Sequence, residues 1–152
     1  EFGVIPIINE NDTTSTEEIK FGDNDKLSAL VASLLHADLL VVLSDVEGLY
    51  DANQKVFEEV REITAEIEGV ASGTKNTLIA RGGMRAKIDA VKIATHARVP
   101  CIITAGSTKD VLLRLVQGER LGTFFIEKKD KLLDGDSEHE FIRSHFKNST
   151  KS

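Results

Sequence analysis

Leu39-Leu40-Val41-Val42-Leu43-Ser44-Asp45 is an unbroken apolar run that stops on a hydroxyl and a carboxylate. A strand with one wet face alternates apolar and polar residues. An unbroken, β-branched run of this length reads instead as a strand covered on both faces, the habit of parallel sheets flanked by helices. Runs of the same kind lie outward from it on both sides: Val4-Ile5-Pro6-Ile7-Ile8, Pro100-Cys101-Ile102-Ile103-Thr104-Ala105 and Gly122-Thr123-Phe124-Phe125-Ile126, with a short extended piece at Val56–Val60.

Helical spacing fills the gaps between these runs. Leu27, Leu30, Val31 and Leu34 form a stripe within Asp25–His36, and Ile63, Ile67 and Val70 form a weaker one behind Thr64 as a cap. Met84, Ile88, Val91 and Ala94 face one way after Arg81-Gly82-Gly83, with Arg85, Asp89, Lys92 and His96 on the other face. Val111, Leu112, Leu115 and Val116 form an inward stripe within Thr108–Val116. Strands alternating with helices predict an α/β fold, a mainly parallel sheet sandwiched between helices in three αβα layers. A chain opening directly on a doubly buried strand is expected to be a partial domain, because such a strand needs neighbours.

With 152 residues, 41% hydrophobic and 29% charged, the composition is that of one globular domain. A net charge of −6 argues against the basic stripe a nucleic-acid surface needs, though a phosphate ligand requires only a local cationic site. No apolar run reaches membrane-span length and no signal peptide is legible, so neither a membrane nor a nucleic acid is an expected partner. The single Cys101 cannot form an internal disulfide and fits a reducing, cytoplasmic setting. The four histidines lack metal-ligand spacing, so no protein-held metal is expected.

Three polar loops could meet at one sheet edge. Asn9–Asp25 sets Glu10, Asp12, Glu17, Glu18, Asp23 and Asp25 against the single cation Lys20. It reads either as a solvated acidic loop closed by an Asn24-Asp25 helix cap or as a ligand loop beyond a strand's carboxyl end. Ser44-Asp45, leading to Tyr50, could terminate a strand or meet a ribose or a phosphate-bound metal. In the third loop, glycines at 82 and 83 let backbone amides approach an anion at a helix start, and Lys87 lies one turn further on the same side. That segment is not a P-loop, and Gly-Gly before a helix can equally be turn chemistry.

Taken together, Ile7-Ile8-Asn9-Glu10-Asn11-Asp12, Phe21-Gly22-Asp23-Asn24-Asp25, Leu43–Asp51 and Gly82-Gly83-Met84-Arg85-Ala86-Lys87 resemble, in that order, the amino acid kinase family. Ala105-Gly106 and Gly122–Phe125 are also similar, so the likeness runs from about Val4 to Ile126. It implies transfer of the γ-phosphate of ATP, with Mg²⁺, to the side-chain carboxylate of L-glutamate in proline synthesis. It implies Lys87 and Asp25 as catalytic residues, Asp25 orienting the lysine, and Asp12 and Asn24 as substrate ligands. ATP would be met by Ser44, Asp45, Arg81, Gly82, Gly83, Met84, Arg85, Ala86 and Lys87. Proline as feedback inhibitor and a homo-oligomeric assembly are further implications.

The sequence also departs from the family. Arg81 stands where a threonine is usual, exchanging a hydroxyl for a cation, and Ser44 replaces another common threonine. The loop after Asp51 is short. No counterpart of the family's amino-terminal half, which supplies a second phosphate-binding lysine, precedes Glu1. The reading is therefore residues 1–127 as the carboxyl-terminal, nucleotide-binding part of a kinase domain, and residues 128–152 as a charged tail with a short helix. The alternatives are another member of the family, or a non-catalytic module binding nucleotide or proline.

Overall fold

The computed structural model describes residues 3–9, 24–71 and 80–127, the side chains of residues 80–82 excepted. In chain order the elements are α1 (Asn24–Leu34), β1 (Leu40–Ser44), β2 (Glu59–Val60), α2 (Ala65–Ala71), α3 (Ala80–His96), β3 (Cys101–Ala105), α4 (Val111–Val116) and β4 (Thr123–Phe125). The strands form one sheet ordered β1-β3-β4-β2. β1 pairs with β3 and β2 with β4 in parallel, while β3 and β4 run antiparallel, so the sheet is mixed with parallel pairing predominant.

The two faces carry separate cores. Leu40, Val42, Cys101, Ile103 and Phe125 pack with Ala29 and Ala32 of α1, Ile67 and Ala71 of α2, and Ile88, Val91 and Ala94 of α3. On the other face Ile102, with Val41 and Phe124 beside it, packs under Val111 and Leu115 of α4. Alternate residues of one strand thus feed opposite layers, as the pleat requires. Every residue of β3 is buried, which is why its sequence shows no polar alternation.

Four expectations are corrected. The Leu39–Leu43 run is not covered on both faces throughout, since β1 is an edge strand and Leu43 is 47% exposed. In α1 the buried residues are Ala29 and Ala32, while Leu30 and Leu34 of the expected stripe are exposed at 38% and 79%. Val4–Ile8, read as a buried strand, lies outside the sheet with Val4, Ile5, Ile7 and Ile8 exposed, Ile7 at 95%. Burial on both faces needs a hydrogen-bonded neighbour and a covering layer, and no strand among the described residues supplies either. The sheet has two open edges among the described residues, β1's and β2's. Leu40 N–H donates to Pro100 O and Ser44 O accepts from Gly106 N–H, so the intervening Val41 and Leu43 turn their backbone groups away from β3. In α4 the helix is one six-residue stretch, and only Val111 and Leu115 face inward; Leu112 and Val116 are exposed at 52% and 75%. One i, i+4 pair is the whole stripe that so short a helix can bury.

The long β1–β2 connection is pinned to β4. Thr123 is fully buried, and its Oγ1 accepts the Leu49 N–H at 2.9 Å. Gly48 allows that approach, since a Cβ there would sit 2.6 Å from Thr123 Oγ1. Gly122 carries φ +80, and a Cβ would lie 2.1 Å from the Ile103 carbonyl oxygen. Tyr50 pairs with Val56 in an isolated bridge, where it is half-buried.

Candidate active site

Short turns carry α1 into β1 and α3 into β3, so each helix runs back along the strand that follows it. Because β1 and β3 are parallel, the amino ends of both helices lie toward the strands' carboxyl ends. α1 and α3 share one face of the sheet and pack directly on one another. Residues distant in sequence are thereby gathered at one edge, where ligands bind in open α/β sheets.

At the contact between the two helices Lys87 Nζ donates to Asp25 Oδ2 at 2.9 Å. The Lys87 and Asp25 side chains are 17% and 19% exposed, so solvent screens the pair weakly. Such a lysine is held by its carboxylate instead of sampling rotamers, with its ammonium aimed from the third turn of α3 toward α1. Asp25 stands in the first turn of α1, where a carboxylate is also favoured by the helix dipole. Ser28 Oγ donates to the Asp25 carbonyl at 2.7 Å and tightens that turn.

Asn24 Nδ2 donates to Asn9 Oδ1 at 3.2 Å, so the first polar residue after Val4–Ile8 sits at the amino end of α1. Ser44 and Asp45 stand at the carboxyl end of β1, where Ser44 Oγ donates to Asp45 Oδ1 at 3.1 Å. Ala105 lies beside Ser44 in register, which brings the Gly106 turn to the same edge. Asp12 lies outside the described residues.

The glycine segment differs in detail from its reading as a loop. α3 begins at Ala80, so Gly82 and Gly83 fall inside its first turn. The first four N–H groups of a helix have no partner within it, so residues 80–83 still present amides outward. A Cβ on Gly83 would meet nothing within 4 Å, so internal packing does not demand a glycine there. Met84 packs its side chain against the core. Arg85 lines a small cleft with Glu68, Asp89 and Lys92 on the side of α2. A separation of two residues turns a helix by about 200°, which puts Arg85 away from Lys87. Ala86 is half-buried. On that flank Lys92 Nζ pairs with Glu68 Oε1 at 2.6 Å across α2 and α3, a partner that within-helix spacing does not reveal.

Cys101 was legible in sequence only as a lone thiol in an apolar run. It is fully buried, and burial, with Asp25's negative charge second, pushes its thiol up to about 12. It stays neutral and serves as a small apolar residue. Among the described residues no group of three or more His, Cys, Asp or Glu could hold a metal ion. Asp45, exposed at the strand end, is a hard oxygen donor of the type that takes one position on a Mg²⁺ otherwise held by phosphate oxygens and water. No helix is long and apolar enough to cross a membrane among the described residues.

The chain is 50% identical over 136 residues to glutamate 5-kinase of Carboxydothermus hydrogenoformans, covering 86% of this chain and 36% of that protein. Against glutamate 5-kinase of Listeria monocytogenes it is 43% identical over 141 residues, covering 86% of this chain and 51% of that protein. The chain therefore spans about a third to a half of the curated relatives it matches. Among solved structures, N-acetylglutamate synthase from Neisseria gonorrhoeae superposes with a TM-score of 0.55 at 20% identity, over 71% of this chain and 24% of that one, a likeness of fold alone. Carbamate kinase from Giardia lamblia superposes with a TM-score of 0.51 at 27% identity, over 70% of this chain and 31% of that one. The sequence pattern of the amino acid kinase family matches residues 1–105, and the chain belongs to that family.

Proposed function

We propose that the protein to which these residues belong is a glutamate 5-kinase. It would transfer the γ-phosphoryl group of ATP to the side-chain carboxylate of L-glutamate, giving γ-glutamyl phosphate and ADP at the head of proline biosynthesis. The observation that carries the reading is the Lys87–Asp25 ion pair at the ligand edge of the sheet, in a chain about half identical to enzymes of that name.

A carboxylate oxygen attacks phosphorus as the bond to the ADP bridging oxygen breaks, and charge spreads over the equatorial oxygens. Lys87 supplies a cation to those oxygens, and Asp25 keeps it in place, so little reorganisation accompanies the charge shift. Asn24, with Asp12, would hold glutamate. Ser44 and Asp45 would meet the nucleotide, and the amino end of α3 from Arg81 to Lys87 would face its phosphates. Mg²⁺, when bound with ATP, neutralises the β- and γ-phosphate oxygens. Residues 1–127 would be the nucleotide-binding part and 128–152 an appended charged tail. Cytoplasmic location, homo-oligomeric assembly and feedback by proline belong to the same reading.

Glutamate-dependent hydroxamate formation from ATP tests it. With hydroxylamine as trap, the complete protein is expected to form hydroxamate with glutamate and not with aspartate or acetylglutamate, and to form no UDP from uridylate. The 152 residues by themselves are expected to form none. Turnover by this chain alone would overturn the division of labour proposed here, and a complete protein inert toward glutamate would overturn the substrate.

A further inference from the structure

The two edges of the sheet are built differently. At β2 the carbonyls of Glu58 and Val60 accept from Phe124 and Ile126, which leaves the backbone of Glu59 facing outward. That strand is two residues long, and Glu59 carries an ion pair to Arg61 at 2.7 Å. A strand so short and so charged offers a second chain little to pair with. β1 has neither protection. It runs five residues, and no charged side chain interrupts Leu39–Ser44. Its backbone faces β3 at Leu40, Val42 and Ser44, so Val41 and Leu43 hold their N–H and C=O groups outward, with no partner strand among the described residues.

Apolar surface flanks that edge on both faces of the sheet. α1 packs on β1 and α3 on β3, so α1 is the outer helix of its layer. The side of α1 that faces α3 is marked by Asp25, through its pair with Lys87. At 3.6 residues per turn, Leu34 lies about 180° and Leu30 about 140° round the helix from Asp25, on the side beyond β1. Both are exposed. On the opposite face Leu43 stands beside Val41 by the alternation of the strand, and it too is exposed.

We infer that β1's outer edge is the docking surface for a second copy of this chain, paired antiparallel about a two-fold axis through Val42. An isologous contact has to be self-complementary, and this register is. Val41 of one copy lies opposite Leu43 of the other, and each such pair exchanges both backbone hydrogen bonds. Their side chains meet on the face of α4 as cross-strand neighbours. On the other face the Leu30 and Leu34 side chains of the two α1 helices close over the seam. A second copy is favoured over an unrelated strand because the two-fold sets one leucine roof against another with no further element required. The assignment is independent of the kinase reading.

Sedimentation equilibrium of the 152-residue chain from about 1 to 100 µM tests it. A dimer is expected over the upper part of that range, with amide hydrogen exchange at Val41 and Leu43 slowing as concentration rises. Leu43→Lys puts a charge on the exposed edge and should weaken the dimer at least about a hundredfold while circular dichroism is retained. Leu30→Glu combined with Leu34→Glu should do the same from the helix side and leaves β1 untouched. Leu112→Glu combined with Val116→Glu, at the exposed patch on α4, should leave the dimer as it is. A chain still monomeric at the highest concentration would overturn the assignment. So would a dimer that survives Leu43→Lys, one that only the α4 pair disrupts, or one whose Val41 and Leu43 amides exchange at the monomer's rate. Neither ATP nor glutamate enters these measurements, so their outcome and that of the hydroxamate assay stand apart.

Discussion

Lys87 in α3 and Asp25 in α1 stand 62 residues apart in sequence and 2.9 Å apart in space. The pair joins two helices that lie on one face of the sheet, and each partner is largely sheltered from water. An ammonium fixed in this way is prepared for negative charge that has yet to develop, because the protein and not the solvent has already oriented it.

On the proposed function, Lys87→Ala in the complete protein is expected to lower kcat by at least about 10²–10³ with little change in circular dichroism. Asp25→Asn should lose less, since the cation stays but is no longer aimed. Steady-state kinetics with glutamate and ATP measures both, and near-normal kcat in Lys87→Ala would rule the residue out of catalysis.

Thr123→Val keeps the side-chain shape and removes the acceptor of the buried Leu49 N–H. A buried donor left without a partner costs about 1–3 kcal/mol, expected as a lower urea midpoint at unchanged slope. Recovery of full stability would mean that the turn at 48–49 relaxes to reach another acceptor.

Gly122→Ala forces a Cβ to 2.1 Å from the Ile103 carbonyl at a backbone φ of +80. Both faults act together, and a loss of more than about 2 kcal/mol is expected from thermal unfolding. Gly106→Ala, on the same edge but with ordinary contact distances, should change stability little. The contrast between the two glycines is itself the measurement.

Glu68, linked to Lys92 across α2 and α3, has its carboxyl held below the ordinary 4.5, first by the hydrogen bond from Lys92 and then by that residue's charge. A depressed folded-state value means that the contribution is complete above pH 4.5 and disappears as pH falls through the lowered value. Acid titration of stability is therefore expected to show a smaller decline below pH 4.5 in Glu68→Gln than in the parent chain. Identical acid limbs would show that the pair adds nothing, as is common for exposed ion pairs.

Much of the architecture was legible because one-dimensional signals were strong. Unbroken apolar runs at Leu39–Leu43 and Pro100–Ala105 announced parallel strands, of which only the second is buried throughout, and the Met84–Ala94 stripe announced the helix that packs beneath them. The same rule misread Val4–Ile8, since composition states that a run can be buried but not that a neighbour is present to bury it. It also credited α4 with two inward residues more than its length can cover.

The residue types of the site, a lysine after paired glycines and an aspartate at a helix start, were set by the sequence alone, because local chemistry needs only local order. Whether they meet was decided by the parallel pairing of β1 with β3 and the packing of α1 on α3. Those contacts belong to the folded chain: an ion pair needs two groups within a few ångströms, and only the tertiary fold closes the loop of 62 residues between them.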